Sequence, residues 1–403
     1  MIAQVFNRSA EFANDRRGTI AILYAVIFMT FALVTGISID FGRMAHMKAR
    51  VAAAADAAAL AAGRALLDGR LSDAEVQALA VERFNHAINN ANGLPGTVSA
   101  PSVVVDRNSG KIDFNVSATV PTTLTKMAGF GDQVIPVTTA TQFDQQDVEV
   151  GLALDVTGSM GWGNKIDDLR LAAKDLVDIL IPDGGPATRI RIGLAPYSTS
   201  INAGTYAGQV SGIPSAACVY ERGGSEAFTD AEPVGTNTLG HNPTTWCPTA
   251  EVQPITHNKT VLKNSIDTYS ADGWTAGHLG VAWAWYLVSP EWASIWPTAS
   301  QPVSYTTPDT MKVVVLMTDG QFNTQYVSGN GNSSDQATSL CNEMKNQGIT
   351  IYSVAFQAPT AAQTLLKGCA SSTQTYFNAS SGGDLRSAFQ HIAMDINKLR
   401  VTK

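Results

Sequence analysis

Hydrophobic positions divide the chain into an uncharged N-terminal run, a helical stretch and a long alternation of strands and helices. The run from Thr19 to Ile39 holds 21 residues without a charge, which is enough for a helix to cross a bilayer. It is longer than a signal-peptide core, and no small-residue cleavage site closes it. We therefore predict a retained membrane anchor at 19–39, preceded by a cytoplasmic terminus at 1–18.

Alanine dominates the segment from Arg50 to Leu67, and no helix breaker lies between Met44 and Ala62. The membrane helix is thus expected to continue through 40–67, giving a rod of about 45 residues and roughly 70 Å. Two interpretations stay open. The segment is either a solvated helical stalk or a surface whose small side chains let a partner helix approach closely.

Residues 68–145 are predicted to form a small α+β module. Its helix is expected from Leu71 to Asn90, because Ser72 and Glu75 have the spacing of a capping box. The other predicted elements are strands at 102–106 and 111–120 around a turn at 108–110, a short helix at 122–128 and a third strand at 134–143.

Beyond residue 146 the pattern changes to alternating strands and helices, with nearly continuous apolar strands. This alternation predicts an α/β domain at 146–403, a doubly wound, Rossmann-like parallel sheet covered on both faces. Strands are expected at 148–155, 189–197, 311–319, 349–356 and 375–379, and helices at 165–181, 257–269, 276–287, 335–346, 361–367 and 383–399.

Four cysteines occur in the chain, and none forms a CxxC pair, which disfavours zinc ribbons and thioredoxin-type chemistry. Either two disulfides form in an oxidising compartment or four thiols are buried and free. Cys218 and Cys247 lie in a Gly/Pro/Ser/Thr-rich stretch at 202–256. We interpret that stretch as an insertion closed by a disulfide, because an unstapled loop of this length is unusual.

The charge of the chain disfavours one class of partner, but it does not decide in which direction the anchor crosses the membrane. The formal net charge is −7 and no basic stripe occurs, so nucleic acid is not expected as a partner. Basic residues flank the apolar run almost equally on both sides, so charge does not orient the anchor. The cysteines all follow the anchor, which places that side of the chain in the periplasm or outside the cell.

Oxygen-bearing side chains mark the predicted carboxyl edge of the sheet, where ligands bind in doubly wound folds. One strand ends in the run Asp155, Thr157, Ser159, another ends at Asp319, and Thr275 lies in a loop before a helix. Carboxylates and hydroxyls from separate loops suit a hard cation, and Mg²⁺ is expected, with Mn²⁺ or Ca²⁺ as alternatives. Few full charges would surround the ion, so a partner's carboxylate could complete its coordination.

No catalytic residues are predicted, and the protein is expected not to be an enzyme. The motif around Asp155 resembles an aspartic-protease turn, but Val156 breaks the spacing and a second copy is missing. A phosphoryl-transferring aspartate would need a nearby lysine and a second acidic residue beside Asp155, and Lys165 is expected to lie in the following helix. The histidines do not cluster, and His278 is expected to pack on its helix.

From residue 147 to about 400, the chain resembles the von Willebrand factor A (vWA) family. The resemblance rests on Asp155-Val-Thr-Gly-Ser159 after an apolar strand, on Gly-Trp-Thr at 273–275 and on Val-Val-Leu-Met-Thr-Asp-Gly at 314–320. It implies a metal-ion-dependent adhesion site. Hydroxyls of Thr157, Ser159 and Thr275 would contact the metal, and Asp155 and Asp319 would act mostly through water.

The order of anchor, alanine-rich helix and C-terminal vWA domain is similar to TadG-like proteins of Tad (Flp) pilus assembly. Arg16-Arg-Gly18 before the anchor, the sequence from Leu385 onward and a Cys341–Cys369 disulfide fit the same family. Leu23 stands where a processed prepilin would have glutamate, so we expect a permanent anchor in the bacterial inner membrane with the C-terminal domain in the periplasm.

The resemblance implies a pilus-assembly factor that binds an acidic residue of a protein partner through the metal. The alternative is a membrane-tethered vWA adhesin that uses the same site on host or matrix ligands.

Overall fold

The computed structural model describes residues 17–68, 71–91, 93–106, 110–123, 125–142, 146–182, 189–241 and 246–399. The predicted cytoplasmic terminus, apart from its last two residues, and most of the predicted hairpin turn lie outside these ranges. The chain divides into two compact units, one of residues 1–143 and one of residues 144–403.

The first unit begins with one continuous helix, α1, from Arg17 to Asp68. By length and composition its part from Ile20 to Leu66 contains a stretch apolar enough to cross a membrane. Large apolar side chains at 20–34 are exposed, among them Phe28, which is 75% exposed. Such a surface suits lipid rather than water. The predicted anchor and the predicted alanine-rich segment are thus one helix.

The alanine-rich half of α1 is packed within its own unit. Its buried positions recur at helical spacing from Met47 and Val51 to Ala62 and Leu66. They contact helix α2 (Asp73–Asn89) and the neighbouring sheet, and alanine's small side chain permits this close approach. The sequence suggested a solvated stalk or a surface for a partner, and instead the module's own sheet covers this face.

Four antiparallel strands complete the first unit: β1 (Thr97–Val98), β2 (Ser102–Asp106), β3 (Lys111–Val120) and β4 (Gln133–Gln142). Strands β1 and β2 pair with successive parts of β3, and β4 also pairs with β3. Burial alternates along β3, so one face packs under the helices. Asp40 ties α1 to the β3–β4 connection, accepting hydrogen bonds from the backbone N–H groups of Thr123 and Thr125.

The second unit is built on a six-stranded mixed sheet with the order β12-β11-β10-β5-β6-β9. Its strands are β5 (Asp147–Asp155), β6 (Ile190–Tyr197), β9 (Gln253–Thr256), β10 (Thr310–Thr318), β11 (Thr350–Phe356) and β12 (Tyr376–Ala379). All neighbours are parallel except β9, which pairs antiparallel with β6. The α/β prediction is confirmed, although one edge strand differs from the expected parallel pattern.

Helices cover both faces of this sheet, as the continuous apolar strands predicted. One face carries α3 (Lys165–Leu180), α5 (Lys259–Asp267) and α9 (Gly382–Leu399), and the other carries α6 (Gly277–Tyr286), α7 (Ser333–Asn346) and α8 (Thr360–Cys369). Helix α6 lies very close to the central strand. A Cβ atom on Gly151 would lie 2.1 Å from the carbonyl oxygen of Ala284.

The predicted insertion at 202–256 contributes short elements to the second unit: β7 (Ile201–Asn202), α4 (Ala207–Ser211) and β8 (Cys218–Val219), before the chain returns through β9. Disulfides join Cys218 to Cys247 and Cys341 to Cys369, with Cα atoms 5.7 and 5.1 Å apart. Both predicted pairings are therefore present.

Candidate metal-binding edge

Asp155 and Asp319 lie at the same edge of the sheet, at the ends of the parallel strands β5 and β10. Asp155 is the last residue of β5 and is fully buried, and Asp319 follows the last residue of β10, Thr318. The strands are hydrogen-bonded neighbours. The Thr318 hydroxyl donates a hydrogen bond to Asp155 Oδ2 at 2.6 Å, so the strand ends are joined by their side chains as well.

The loop after β5 turns its hydroxyls toward Asp319. The Thr157 backbone N–H donates to Asp155 Oδ1 at 2.9 Å, and this bond fixes the turn. The hydroxyls of Thr157 and Ser159 are 3.1 Å apart, and Ser159 donates to Asp319 Oδ1 at 2.6 Å. Three of the predicted ligands therefore form one hydrogen-bonded chain.

The loop before α6 brings Thr275 to the same edge. Its backbone is joined to the first loop, because Gly158 N–H donates to the Gly273 carbonyl at 3.0 Å. Gly273 has a φ of 79°, and a Cβ there would lie 2.5 Å from Thr199 Oγ1, so only glycine fits. A Cβ built on Gly320 would lie 3.6 Å from Ser159 Oγ and 3.9 Å from Thr275 Oγ1. The Thr275 and Ser159 hydroxyls thus both lie beside Gly320, at the same edge.

Burial makes the charge of Asp155 costly. Burial raises the pKa of this carboxyl from 3.8 to about 6, and the nearby negative charge of Asp319 adds to the shift. The hydrogen bonds from Thr157 and Thr318 lower the pKa and so oppose the shift. Both oxygens of Asp155 already accept hydrogen bonds within the chain. Asp155 therefore lies behind the hydroxyls and supports them.

Lys165 begins the helix after the first loop, α3, as expected, and from there its side chain reaches this edge. Its ammonium is 2.8 Å from Asp319 Oδ2, and its side chain is 15% exposed. The reason is the glycine-containing turn at 161–164, where Gly163 has a φ of 63° and the helix starts directly beside the site. The ammonium neutralises part of the charge on Asp319.

The donor set suits a hard divalent cation. Thr157, Ser159, Thr275 and Asp319 offer only oxygen, which Mg²⁺ and Mn²⁺ prefer. Within the ranges that the structure describes, no group of three or more His, Cys, Asp or Glu side chains is placed to hold a metal. A cation here would thus depend on hydroxyls and water as much as on carboxylates. These residues would hold the ion, and the ion would supply positive charge for an incoming anionic ligand.

Several supporting residues were not predicted from the sequence. Asn323 holds Thr275 on both sides, since its side-chain oxygen accepts from the Thr275 backbone N–H at 3.0 Å and its own backbone N–H donates to the Thr275 carbonyl. Thr199 Oγ1 accepts from the Trp274 backbone N–H at 2.7 Å. An apolar strand followed by small polar residues is the only sequence signal at Thr199.

His278, which we expected to pack on its own helix, is buried against Ser333 of α7 and Glu221 of the insertion. It is 1% exposed, its Nδ1 lies 2.7 Å from Ser333 Oγ, and its Nε2 lies 3.2 Å from Glu221 Oε2. Its ring is engaged with these neighbours rather than turned toward the metal-binding edge.

Two family models match the chain. The model described as putative Flp pilus-assembly TadE/G-like matches residues 18–65, and the von Willebrand factor type A domain model matches residues 299–391. A comparison with curated protein sequences found no match.

Solved structures show distant similarity. The vWF domain of the type V pili tip protein Mfa5 from Porphyromonas gingivalis is 14% identical, with a TM-score of 0.42, covering 64% of this chain and 97% of that chain. The pilus adhesin SpaC from Lactobacillus rhamnosus GG is 13% identical, with a TM-score of 0.39, covering 77% of this chain and 35% of that chain. Proximal thread matrix protein 1 from the mussel byssus is 17% identical, with a TM-score of 0.34, covering 62% and 48%.

The chain thus combines a TadE/G-like segment in its N-terminal helix with a vWA domain in its second unit. These matches name both families to which the sequence was likened, and the vWA match at 299–391 includes Asp319 but not residues 155–159 or Thr275.

Proposed function

We propose that the protein is a membrane-anchored Tad (Flp) pilus-assembly factor whose vWA domain binds an acidic residue of a protein partner through a divalent cation. The observation that carries the proposal is the meeting of Thr157, Ser159, Thr275 and Asp319 at one edge of the vWA domain. The TadE/G-like match of the N-terminal helix supports the assignment to pilus assembly.

Charge explains why such a site would take a carboxylate. The two aspartates carry two negative charges when ionised, and Lys165 offsets one of them. A bound divalent cation would leave the edge with a net charge of about +1, which attracts an anion. Since hydroxyls supply much of the coordination, the ion would stay electrophilic toward a partner's carboxylate.

Binding is favoured over catalysis by the state of Asp155. Its side chain is fully buried and both of its oxygens accept hydrogen bonds from the chain, so neither is free for nucleophilic attack. The ammonium of Lys165 is paired with Asp319 and does not contact Asp155. Asp155 and Lys165 therefore supply neither a free nucleophile nor a free general base.

We place the anchor in the bacterial inner membrane and the vWA domain in the periplasm. Support comes from the long apolar N-terminal helix and from two disulfides in the second unit, because disulfides persist in oxidising compartments. Protease treatment of spheroplasts tests the orientation. Digestion of the vWA domain is expected, and protection from added protease would reverse the topology.

Partner capture tests the function. The full chain, solubilised from its native cells in Mg²⁺, is expected to co-purify with pilus-assembly proteins, and Thr275→Ala or chelator should abolish this. Thr338→Ala, on the exposed face of α7, is the control and should capture as the wild type does. Capture that survives Thr275→Ala and chelator would contradict the proposal. Labelling of the vWA domain on intact cells would instead favour the tethered adhesin.

A further inference from the structure

The exposed tryptophans of the protein all lie beside the candidate metal-binding edge. The chain has seven tryptophans, and four of them, at positions 283, 285, 292 and 296, are buried. The other three are Trp162, Trp246 and Trp274, which are 75%, 54% and 69% exposed. We call these three side chains the tryptophan rim.

Each member of the rim is attached to a loop that forms the edge. Trp274 directly precedes Thr275 in the chain. Trp162 follows the loop after β5 that carries the Ser159 hydroxyl, and its backbone N–H donates to the Ser159 carbonyl at 3.2 Å. A Cβ built on Gly273 would lie 3.1 Å from Trp246 Cδ1, so the Trp246 ring packs beside the loop of Thr275.

The backbone under the rim is firmly held. Thr199 Oγ1 accepts from the Trp274 backbone N–H, and the Trp246 carbonyl accepts from the Ser200 hydroxyl at 2.5 Å. The disulfide at Cys247 anchors the residue after Trp246. A backbone that is already held in place loses little entropy when a partner binds, which favours affinity.

Charged side chains are scarce around the rim. In the loops at 156–164, 198–203, 246–250, 270–276 and 319–325, the charged residues are the buried Asp319 and the exposed Asp272, and Lys165, which follows the first loop, is paired with Asp319. Large exposed aromatic rings with few charges between them are typical of the energetic centre of a protein interface. The single exposed carboxylate of Asp272 would repel a second acid next to one bound at the metal.

We propose that the tryptophan rim receives the residues on either side of the partner's metal-bound carboxylate. The ligand is then a protein segment with one Asp or Glu between apolar side chains. This inference rests on the proposed function, because it takes the metal-bound carboxylate as given and adds what surrounds it.

A protein segment fits the rim better than an acidic polysaccharide does. The three exposed indole rings offer apolar surface to the side chains of a protein segment. The exposed carboxylate of Asp272 would repel the repeated negative charges of an acidic polysaccharide.

Two synthetic peptides and the full chain in lipid nanodiscs test the inference. Both heptapeptides carry one central glutamate, flanked in the first by leucine and phenylalanine and in the second by serine and glycine. In Mg²⁺ the first is expected to bind the wild type at least roughly tenfold more tightly than the second. In Trp162→Ala and in Trp274→Ala this ratio should fall below about three. The control is Met394→Ala, which removes an exposed apolar side chain of α9 and should keep the ratio.

Titration with Mg²⁺ distinguishes failure of the proposed metal-dependent function from failure of the inference about the tryptophan rim. If the wild type binds no Mg²⁺, the proposed function fails. If it binds Mg²⁺ and the ratio is near one, or if the tryptophan variants leave the ratio unchanged, the inference about the rim alone is overturned. Failure of both peptides to bind the Mg²⁺-loaded protein would overturn it too, as would tighter binding of an oligogalacturonate. The tryptophan variants are expected to keep their Mg²⁺ affinity within about twofold, since the rings hold no ligand oxygen.

Discussion

Replacing Asp155 by asparagine removes one buried charge and leaves the shape of the side chain unchanged. The asparagine oxygen can still accept from the Thr157 backbone N–H, which lies 2.9 Å from Oδ1 in the wild type. The new amide would face the Thr318 hydroxyl, which can rotate to accept it and donate to the Gly320 carbonyl, 3.2 Å away. Both contacts at the strand ends therefore survive the substitution.

The size of the effect follows from the pKa of Asp155, which burial raises from 3.8 to about 6. Because the folded state holds this proton more tightly than the unfolded state, stability falls as the pH rises from about 4 to about 6. Above pH 6 the ionised carboxyl lowers the free energy of unfolding of the metal-free protein by on the order of 3 kcal/mol. Asp155→Asn carries no such charge, so it should be more stable than the wild type at pH 8 and equal to it below pH 4.

Thermal unfolding of the full chain in nanodiscs with chelator, followed by tryptophan fluorescence from pH 4 to 8, measures this difference. At pH 8 the vWA transition of Asp155→Asn should lie about 6–12 °C above that of the wild type. Excess Mg²⁺ should then raise the wild-type transition more than that of the variant. The control is Asp272→Asn, an exposed carboxylate on the neighbouring loop, which should change the transition little. A variant transition at or below that of the wild type at pH 8 would refute the reasoning.

Three further substitutions test other parts of the structure. Lys165→Met removes the ammonium that pairs with Asp319 and should tighten Mg²⁺ binding roughly tenfold in calorimetry. Unchanged or weaker binding would show that Lys165 does not compete with Mg²⁺ for Asp319. Replacing Cys341 and Cys369 together by alanine opens a loop of 28 residues and should lower the free energy of unfolding by about 3.5 kcal/mol. Denaturant titration measures this loss, and a loss under about 1 kcal/mol would contradict the expectation. Gly151→Ala should lower the free energy of unfolding by at least about 2 kcal/mol, because its Cβ would meet a helix carbonyl. The control is Gly368→Ala, whose Cβ has open space. Equal melting temperatures of the two variants would contradict the close packing.

Most of the second unit's fold could be predicted because its strands are buried on both faces. Continuous apolar runs such as Val313–Met317 leave little choice of element, and they end at the polar residues that form the edge. Strand β9 could not be predicted in this way. Its four residues include a proline and lie in a turn-rich stretch, and only pairing with β6 at the edge of the sheet makes them a strand.

The meeting of the candidate ligands at one edge was predictable from the sequence, but the residues that hold them in place were not. Asp155, Ser159 and Asp319 follow strands that can be recognised from their apolar residues, so their meeting at one edge could be expected. The contact of Lys165 with Asp319 depends on how tightly a short glycine-containing turn folds back, and hydrophobic periodicity does not report that. The rim was missed for a related reason, because Trp246 reaches the edge from a distant loop.

The central claim is that oxygen atoms from three loops hold one divalent cation. Calorimetric titration of Mg²⁺ into the metal-free full chain in nanodiscs tests it most directly, with Asp155→Ala, Asp319→Ala and Thr275→Ala beside the wild type. One saturable site per chain in the wild type is expected, with affinity lowered at least roughly tenfold in each variant. Equal affinity in all four proteins, or no saturable binding in the wild type, would contradict the account.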